Sequence, residues 1–337
     1  MKIKETKECI RRRRRFRDGN LVAVLLAAAA IESRAAAGPV LVFVSNEKSG
    51  TVTVIDAETD RVVDTVTVGS RPRGVQASPD RRRVYVAVSD KSSPRNEAIV
   101  AIDAATRKII SRYPSGTDPE QFAVSPDGKT IVIANEDASA ATVLDLASGR
   151  TTTLPVGTEP EGVGFTPNGQ FAWVTAETSN NLSIVDIAAR KVVGAVAVDQ
   201  RPRVAAFARD GKKAFVSCEI SSTIVVLDPD SRKQLARIEF AQPEKPEGIA
   251  FSPDQKQIYV ATSHGNSVAI IDTETYKIEA RVPVGHRPWG IAITPGGKLY
   301  TANGLSNDVS VLDAPQQRVI ATIPAGEGPW GVAVAAP

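Results

Sequence analysis

A repeated phrase occurs seven times along the 337-residue chain and constrains its fold more than any other feature. Each copy approximates G-[VI]-x-x-S-P-D-G, an apolar run near Y-V-A, then x-V-x-V-I-D-x-x-T and V-G-x-x-P. Successive copies are spaced by 47, 41, 42, 44, 42 and 41 residues, and their anchor positions are Gly74, Gln121, Gly162, Val204, Gly248, Gly290 and Gly331. A period of about 42 residues with four short apolar runs per unit predicts an all-β fold, a seven-bladed β-propeller with four-stranded antiparallel blades.

The two ends of the repeat array complement each other. Residues 40–45 match the second strand of a unit, whereas residues 331–335 match a first strand and then stop. This pattern predicts that the C-terminal strand completes the N-terminal blade, which closes the ring by main-chain hydrogen bonds and leaves no open edge. We therefore expect one seven-bladed domain over residues 38–337.

Residues 1–37 have the features of a signal peptide. A basic segment, Arg11 to Arg17, precedes an apolar stretch over residues 21–31 that is too short to span a bilayer. Small residues at positions 35–37 resemble a cleavage site. Arg13-Arg14-Arg15-Phe16 fits the core of a twin-arginine signal, and a Sec signal is the alternative. The expected location is the periplasm.

Charge and cysteine content exclude several classes of function. The chain carries a net charge of +3, but residues 38–337 contain 31 Lys and Arg against 34 Asp and Glu. The basic excess therefore lies in residues 1–37, and nucleic acid is not expected as a partner. Residues 38–337 contain no membrane span by composition, and Cys218 is their one cysteine, expected as a buried core thiol.

One aspartate recurs before the second turn of every unit. A carboxylate at this point accepts hydrogen bonds from nearby backbone N–H groups in an Asx-turn. Seven copies predict a structural role rather than a catalytic one, at Asp56, Asp103, Asp145, Asp186, Asp228, Asp272 and Asp313.

The opposite face of the predicted propeller varies from unit to unit. Just before the first strand, each unit has a proline followed by a charged or aromatic residue: Arg73, Glu120, Glu161, Arg203, Glu247, Trp289 and Trp330. Because proline fixes its own φ, it holds the following side chain in a defined direction. The loop between the second and third strands adds Glu47, Glu136, Glu177 and Glu219, and the histidines His264 and His286 lie on the same face.

Three interpretations of this face remain open. In the first, Trp289 and Trp330 stack on a planar anion whose carboxylates pair with Arg73, Arg203 and Arg287, and the nearby Glu120, Glu161, Glu247, His264 and His286 complete the site. In the second, Glu47, Glu136, Glu177 and Glu219 bind Ca²⁺ or another hard cation. In the third, Arg and Glu pair with each other and close the channel mouth. A hydrolase would use His264 or His286 near Glu247 as general base.

Segments of three units carry a recognisable family motif: Phe43-Val44-Ser45-Asn46, Ile133-Ala134-Asn135 and Tyr300-Thr301-Ala302-Asn303. They resemble the YVTN family of WD-like β-propeller repeats. The signal peptide, the seven units and the segment over residues 44–56 are similar to a narrower group, the periplasmic propellers associated with pyrroloquinoline quinone (PQQ)-dependent alcohol catabolism. The resemblance suggests PQQ as the cofactor, with Ca²⁺ as the alternative from the glutamates, and implies a periplasmic quinoprotein dehydrogenase or a transport component as partner.

These observations predict an exported, monomeric and non-enzymatic propeller that binds a ligand or scaffolds a partner. The alternatives are a propeller hydrolase of the lactonase type and a surface or adhesion-type repeat protein.

Overall fold

The computed structural model describes residues 38–241 and 243–336, so the predicted signal peptide lies outside the described residues. Within the described residues, 28 strands form seven four-stranded sheets, and one 3-10 turn, Pro94–Asn96, lies between two strands. No helix in this part of the chain has the length and apolar character needed to cross a bilayer. The predicted seven-bladed all-β propeller is confirmed.

The strands are numbered in chain order, and each sheet is one blade. The innermost strands of blades 1 to 7 are β4 (Pro72–Ala77), β8 (Pro119–Val124), β12 (Pro160–Phe165), β16 (Pro202–Phe207), β20 (Pro246–Phe251), β24 (Pro288–Ile293) and β28 (Pro329–Ala335). The second strands are β5 (Arg83–Val88), β9 (Thr130–Asn135), β13 (Phe171–Ala176), β17 (Ala214–Cys218), β21 (Gln257–Thr262), β25 (Lys298–Asn303) and β1 (Leu41–Asn46). The third strands are β6 (Ala98–Asp103), β10 (Ala140–Asp145), β14 (Asn181–Asp186), β18 (Thr223–Leu227), β22 (Ser267–Asp272), β26 (Asp308–Asp313) and β2 (Thr51–Asp56). The outer strands are β7 (Ile109–Tyr113), β11 (Thr151–Pro155), β15 (Lys191–Ala197), β19 (Gln234–Glu239), β23 (Ile278–Pro283), β27 (Arg318–Pro324) and β3 (Arg61–Thr67).

Blade 7 contains strands from both ends of the described chain. Its order is β28-β1-β2-β3, and β28 pairs antiparallel with β1, with Leu41 opposite Ala335 and Val44 opposite Val332. The last strand therefore supplies the missing innermost strand of the first sheet. This confirms the predicted closure of the ring.

The hydrophobic core is divided among the spaces between neighbouring blades. One buried cluster combines Phe43 and Val54 of blade 7 with Val86 and Val100 of blade 1, and six further clusters fill the other spaces. Alternate residues of a strand face opposite sides of its sheet, so each inner strand contributes to two clusters. Each blade is consequently stabilised by both of its neighbours.

The repeated aspartates form the predicted Asx-turns. Asp56 Oδ1 accepts hydrogen bonds from the backbone N–H groups of Glu58 and Thr59 at 2.9 Å. Each of the other six aspartates accepts a bond from the N–H three residues later. These carboxylates hold turns on the face away from the candidate site, as the repetition indicates.

Candidate functional site

The residue before each innermost-strand proline has a left-handed backbone conformation. The φ values range from 42° at Arg71 to 65° at Gly328. The other five residues with this conformation are Asp118, Glu159, Arg201, Lys245 and Arg287. A non-glycine residue in this region costs on the order of 1 kcal/mol or more, and other turns of the propeller, such as those at Asp60 and Arg107, also contain left-handed residues. In six of the seven blades the residue with this conformation is charged.

A β-bulge follows this residue in every blade. In blade 1, Pro72 pairs with Val88 and Val75 pairs with Val86, so two residues on β4 oppose one on β5. The same shift occurs in the other six blades. The innermost strand thus begins at the proline, two residues earlier than the repeat anchor suggests. A bulge redirects side chains, and here it turns the residue after the proline toward the channel mouth.

The anchor glycines allow the innermost strands to approach one another closely. A Cβ at Gly162 would lie 1.9 Å from the Arg203 carbonyl oxygen, and one at Gly290 would lie 2.5 Å from the Trp330 carbonyl oxygen. Only glycine permits these distances without displacing the neighbouring strand. The glycines therefore set how closely the mouth residues of adjacent blades converge.

Four carboxylates from blades 3, 4 and 5 converge on the buried guanidinium of Arg203. Glu161 lies 3.2 Å from Nη1, Glu247 lies 3.3 Å from Nε, Glu219 lies 2.6 Å from Nη2, and Glu177 also contacts Nη1. All four carboxylates are buried. A charge is tolerated in such a place only when it is paired and hydrogen-bonded.

Two cations at the rim complete this cluster. Arg201 Nε lies 2.8 Å from Glu177 and 3.1 Å from Glu219, and Lys245 Nζ lies 3.2 Å from Glu219. We call this set the ion-paired half of the mouth: Glu161, Glu177, Arg201, Arg203, Glu219, Lys245 and Glu247.

Burial and charge shift the pKa values within the ion-paired half in different directions. Burial raises the pKa of Glu247 to about 8, and burial together with Glu161 raises the pKa of Glu177 to about 7. Burial alone would raise the pKa of Glu219, but contact with Arg203 lowers it. Burial opposes the charge of Arg203, yet the surrounding carboxylates raise the pKa of this guanidinium above its usual value. Burial therefore favours the protonated form of Glu247, and the neighbouring Arg203 opposes this effect.

A second set of ion pairs spans blades 7, 1 and 2. Arg73 Nε lies 2.9 Å from Glu47, and Arg73 Nη1 contacts the fully buried Glu120. Arg71 Nη1 and Lys91 Nζ lie 3.2 and 3.0 Å from the two oxygens of Asp118. Burial would raise the pKa of Asp118, but bonds from Ser89 and Lys91 lower it. These pairs have the arrangement expected if Arg and Glu close the channel mouth.

Two tryptophans from blades 6 and 7 stack beside these networks. The rings of Trp289 and Trp330 lie 6.0 Å apart between centroids, with an interplanar angle of 20°. The guanidinium carbons of Arg287 and Arg203 lie 4.9 and 5.3 Å from the Trp289 ring, and that of Arg73 lies 6.0 Å from the Trp330 ring. Cation–π attraction holds the indoles and the arginines together.

A pocket of about 290 Å³ opens at the mouth between these groups. Both indoles line it, with Arg287, Lys48 and Leu305 beside them and Glu136, Glu161 and Glu177 across from them. Neither Arg287 nor Lys48 makes an ion pair within residues 38–241 and 243–336, and Arg287 Nε is covered without a hydrogen-bond acceptor there. We call Lys48, Arg287, Trp289 and Trp330 the aromatic half of the mouth.

The four glutamates predicted as cation ligands are divided among different partners. Glu177 and Glu219 pair with Arg203, and Glu47 pairs with Arg73. Glu136 alone of the four belongs to a group of three acidic residues with oxygens within 4.8 Å, the other members being Asp118 and Glu120. Glu47, Glu136 and Glu177 line the same pocket, but the predicted four do not form one cluster of carboxylate oxygens among the described residues.

The two histidines lie on the predicted face but are exposed. Neither imidazole makes an ion pair or a hydrogen bond with the part of the chain that the structure describes. Partial desolvation, together with Lys245 and Arg287, lowers the pKa of His264. Glu247, their proposed partner in a hydrolase, accepts a hydrogen bond from Ser263 and contacts Arg203 instead.

Cys218 is fully buried, and burial raises its pKa to about 12, which confirms the core thiol.

Of the charged residues immediately before the prolines, sequence reasoning named Arg287 and missed the others. Arg71, Asp118, Arg201 and Lys245 all take part in the mouth networks. The available signal was a charge at this position in six of seven units, in a place that appeared to be an ordinary turn. The left-handed backbone is what directs these side chains toward the mouth.

The profile of the choice-of-anchor I domain matches residues 31–239 and, in a second register, residues 148–303. The chain belongs to the choice-of-anchor I domain family. Two overlapping matches are expected when a tandem repeat lets the same profile align in two registers. No curated protein matches this choice-of-anchor I chain.

Solved structures share the fold of this family member at low sequence identity. Hydrazine synthase of Kuenenia stuttgartiensis superposes with a TM-score of 0.69 and 21% identity, over 78% of this chain and 89% of that chain. A "putative 6-phosphogluconolactonase" from Bacteroides uniformis gives a TM-score of 0.72 and 20% identity, over 88% of this chain and 100% of that one. A protein of unknown function from Desulfotomaculum acetoxidans gives 0.61 and 19%, over 72% and 81%. At this identity the similarity establishes the propeller fold alone.

Proposed function

We propose that this choice-of-anchor I protein is an exported, non-catalytic binding protein whose channel mouth takes a small flat ligand bearing a carboxylate. The observation that carries the proposal is Arg287. Its guanidinium lies against Trp289 at the edge of the pocket, with no ion-pair partner among the described residues and with a covered Nε that lacks an acceptor. A planar guanidinium of this kind matches a carboxylate in two parallel hydrogen bonds.

The aromatic half supplies the remaining features of such a site. Trp289 and Trp330 offer apolar surface beside the cation, and the exposed Lys48 adds a second positive charge on blade 7. A volume of about 290 Å³ lies at the lower end of the range for ligand pockets, which favours a small ligand. The ligand would be held by stacking and by charge.

PQQ is a flat molecule with three carboxylates and is the member of this ligand class that the family resemblance suggests. Under this proposal the protein serves PQQ-dependent alcohol oxidation in the periplasm, with a quinoprotein dehydrogenase or a transport component as its partner. Ca²⁺ is the cation to test beside it, because Glu136 lies near two other carboxylates.

Calorimetric titration of the purified protein with PQQ and with 4-methylbenzoate tests the proposal. We expect saturable binding of at least one flat carboxylate, weakened about tenfold in Arg287→Gln, which corresponds to one charged hydrogen-bonded contact. Arg318→Gln, on outer strand β27, is the matched control and should bind as the native protein does. Failure of both probes to bind, or equal binding by Arg287→Gln, would rule the site out.

The same preparation tests the hydrolase alternative. A panel of lactones is incubated with the native protein and with His264→Ala and His286→Ala. We expect no hydrolysis above the uncatalysed rate, because neither exposed imidazole has a carboxylate partner within the described residues. Turnover that disappears in either variant would replace the binding proposal with an enzymatic one.

A further inference from the structure

The pocket wall contains nine charged side chains, and most of them neutralise one another. Six make ion pairs within the wall or with residues behind it. The three lining residues that make no ion pair among the described residues are Lys48, Glu136 and Arg287. Because paired charges largely cancel at a distance, these three determine which charges a ligand meets.

The three unpaired charges lie on different sides of the pocket. Arg287 precedes β24 on blade 6, and Lys48 follows β1 on blade 7, so both flank the tryptophans. Glu136 follows β9 on blade 2. In a ring of seven blades, blade 2 stands across the channel from blades 5 and 6. The pocket is therefore positive at its aromatic wall and negative at the wall opposite.

The negative wall is reinforced behind Glu136. Oxygens of Asp118 and Glu120 lie within 4.8 Å of a Glu136 carboxylate oxygen, and both of those residues are fully buried. Arg71, Arg73 and Lys91 already compensate Asp118 and Glu120, which leaves the negative charge of Glu136 for the pocket. A second carboxylate on the ligand would meet repulsion here, whereas an ammonium group would meet attraction.

We infer that the ligand is a zwitterion: a flat or ring-containing molecule with a carboxylate at one end, received by Arg287 and Lys48, and an ammonium group at the other, received by Glu136. This inference rests on the proposed carboxylate site and narrows its ligand class to zwitterions, which disfavours PQQ because PQQ has three carboxylates and no ammonium group. It gives Glu136 a role in specificity, while Arg287 and the tryptophans provide the common binding surface.

Three probes that share one ring separate the charge requirements. These are 4-(aminomethyl)benzoate, a zwitterion at pH 7; 4-methylbenzoate, with the carboxylate alone; and benzene-1,4-dicarboxylate, with a carboxylate at both ends. Each is titrated calorimetrically into the native protein at low ionic strength. We expect the zwitterion to bind about fivefold more tightly than 4-methylbenzoate, as for one partly exposed ion pair, and the dicarboxylate to bind most weakly.

Glu136→Gln identifies the group responsible for the preference. This change keeps the shape of a half-exposed side chain and removes its charge, so the fold should be unaffected. We expect the zwitterion and 4-methylbenzoate to bind the variant equally, with the affinity for 4-methylbenzoate unchanged or slightly increased. Asp137→Asn, the exposed neighbour that does not line the pocket, removes the same charge and should retain the preference.

The outcomes distinguish this inference from the proposed function. Tighter binding of the dicarboxylate than of the zwitterion, or an unchanged preference in Glu136→Gln, overturns the zwitterion assignment and leaves the carboxylate site standing. Absence of binding by all three probes, together with PQQ, overturns both. Loss of the preference in Asp137→Asn as well as in Glu136→Gln would mean that net charge alone sets it, which also overturns the assignment.

Discussion

The two halves of the channel mouth place an arginine against the same indole and differ in how they treat its charge. In the ion-paired half, Arg203 lies 5.3 Å from the Trp289 ring and is surrounded by four carboxylates. In the aromatic half, the guanidinium of Arg287 lies 4.9 Å from that ring and forms no ion pair with a carboxylate of the described residues. Both positions arise from the same local device, a left-handed residue, a proline and a bulge.

The same backbone feature positions one arginine for ion pairing inside the protein and another for contact with a ligand. Arg203 follows its proline and is turned inward, where burial makes pairing obligatory. Arg287 precedes its proline and remains partly exposed at the rim, where an unpaired charge costs little and is available to a ligand. If one half of the mouth is structural and the other binds a ligand, substitutions in the first should mainly change stability and substitutions in the second should mainly change affinity.

The largest effect is expected at Arg203. Arg203→Met removes a cation that contacts all four buried carboxylates and should lower the free energy of unfolding by about 3–5 kcal/mol. Urea denaturation measures this change, and Arg287→Met, which removes an arginine from the same indole, should cost less than about 1 kcal/mol. A loss below about 1 kcal/mol in Arg203→Met would show that the pairing does not stabilise the fold.

The pH dependence of stability should also originate in the ion-paired half. Glu247 and Glu177, with pKa values raised to about 8 and about 7, stay protonated in the folded protein at pH values where the unfolded chain has released these protons. Stability should therefore fall as pH rises from about 5 to about 8, by up to about 1.4 kcal/mol per pH unit for each carboxyl, and level off above it.

Glu247→Gln assigns this slope. The variant keeps the hydrogen-bonding shape of the protonated carboxyl, and its stability should change less between pH 6.5 and 8 than that of the native protein. The lowered pKa of His264 acts in the opposite direction below its ordinary value, so the comparison is made above pH 6.5. Equal slopes in both proteins would place the titrating group elsewhere.

The sequence was sufficient for the fold because the repeat specifies each strand seven times. The apolar runs, the turn residues and the split between residues 331–335 and residues 40–45 predicted the blades and the closure by β28 that the structure contains. An error in any one unit would have been outweighed by the other six.

The mouth was predictable only as a collection of residues. Glu177 and Glu219 were candidates for a cation site, and Glu161 and Glu247 for a ligand site, yet all four contact Arg203. Their convergence on Arg203 depends on the left-handed residue and the bulge at the start of β16. Neither feature produces a hydrophobic periodicity that could be recognised in the sequence. The lack of an ion pair at Arg287 likewise depends on the surrounding carboxylates being paired with other cations.

Ligand affinity should respond to the aromatic half with an intermediate effect. Trp330→Ala and Trp289→Ala should each weaken binding of a flat carboxylate about tenfold, since stacking on an indole contributes about 1 kcal/mol beyond buried area. Trp173→Phe, a buried residue packed on Phe207 outside the mouth pocket, should leave the affinity unchanged and remove background fluorescence. Unchanged affinity in both alanine variants would exclude the indoles from the site.

Arg287→Gln should have the least effect on stability among these variants. Arg287 forms no ion pair within the described residues, so its removal leaves no carboxylate unpaired there, and its covered Nε already lacks an acceptor. Its removal should therefore change the free energy of unfolding by no more than about 0.5 kcal/mol in either direction. Binding of 4-methylbenzoate should still weaken about tenfold in this variant, and the affinity of the native protein should fall with added salt as the charge is screened. A residue that is dispensable for folding and required for binding is what a ligand site predicts. A stability loss of several kcal/mol would instead make Arg287 a structural residue like Arg203, and the two halves of the mouth would then no longer differ in kind.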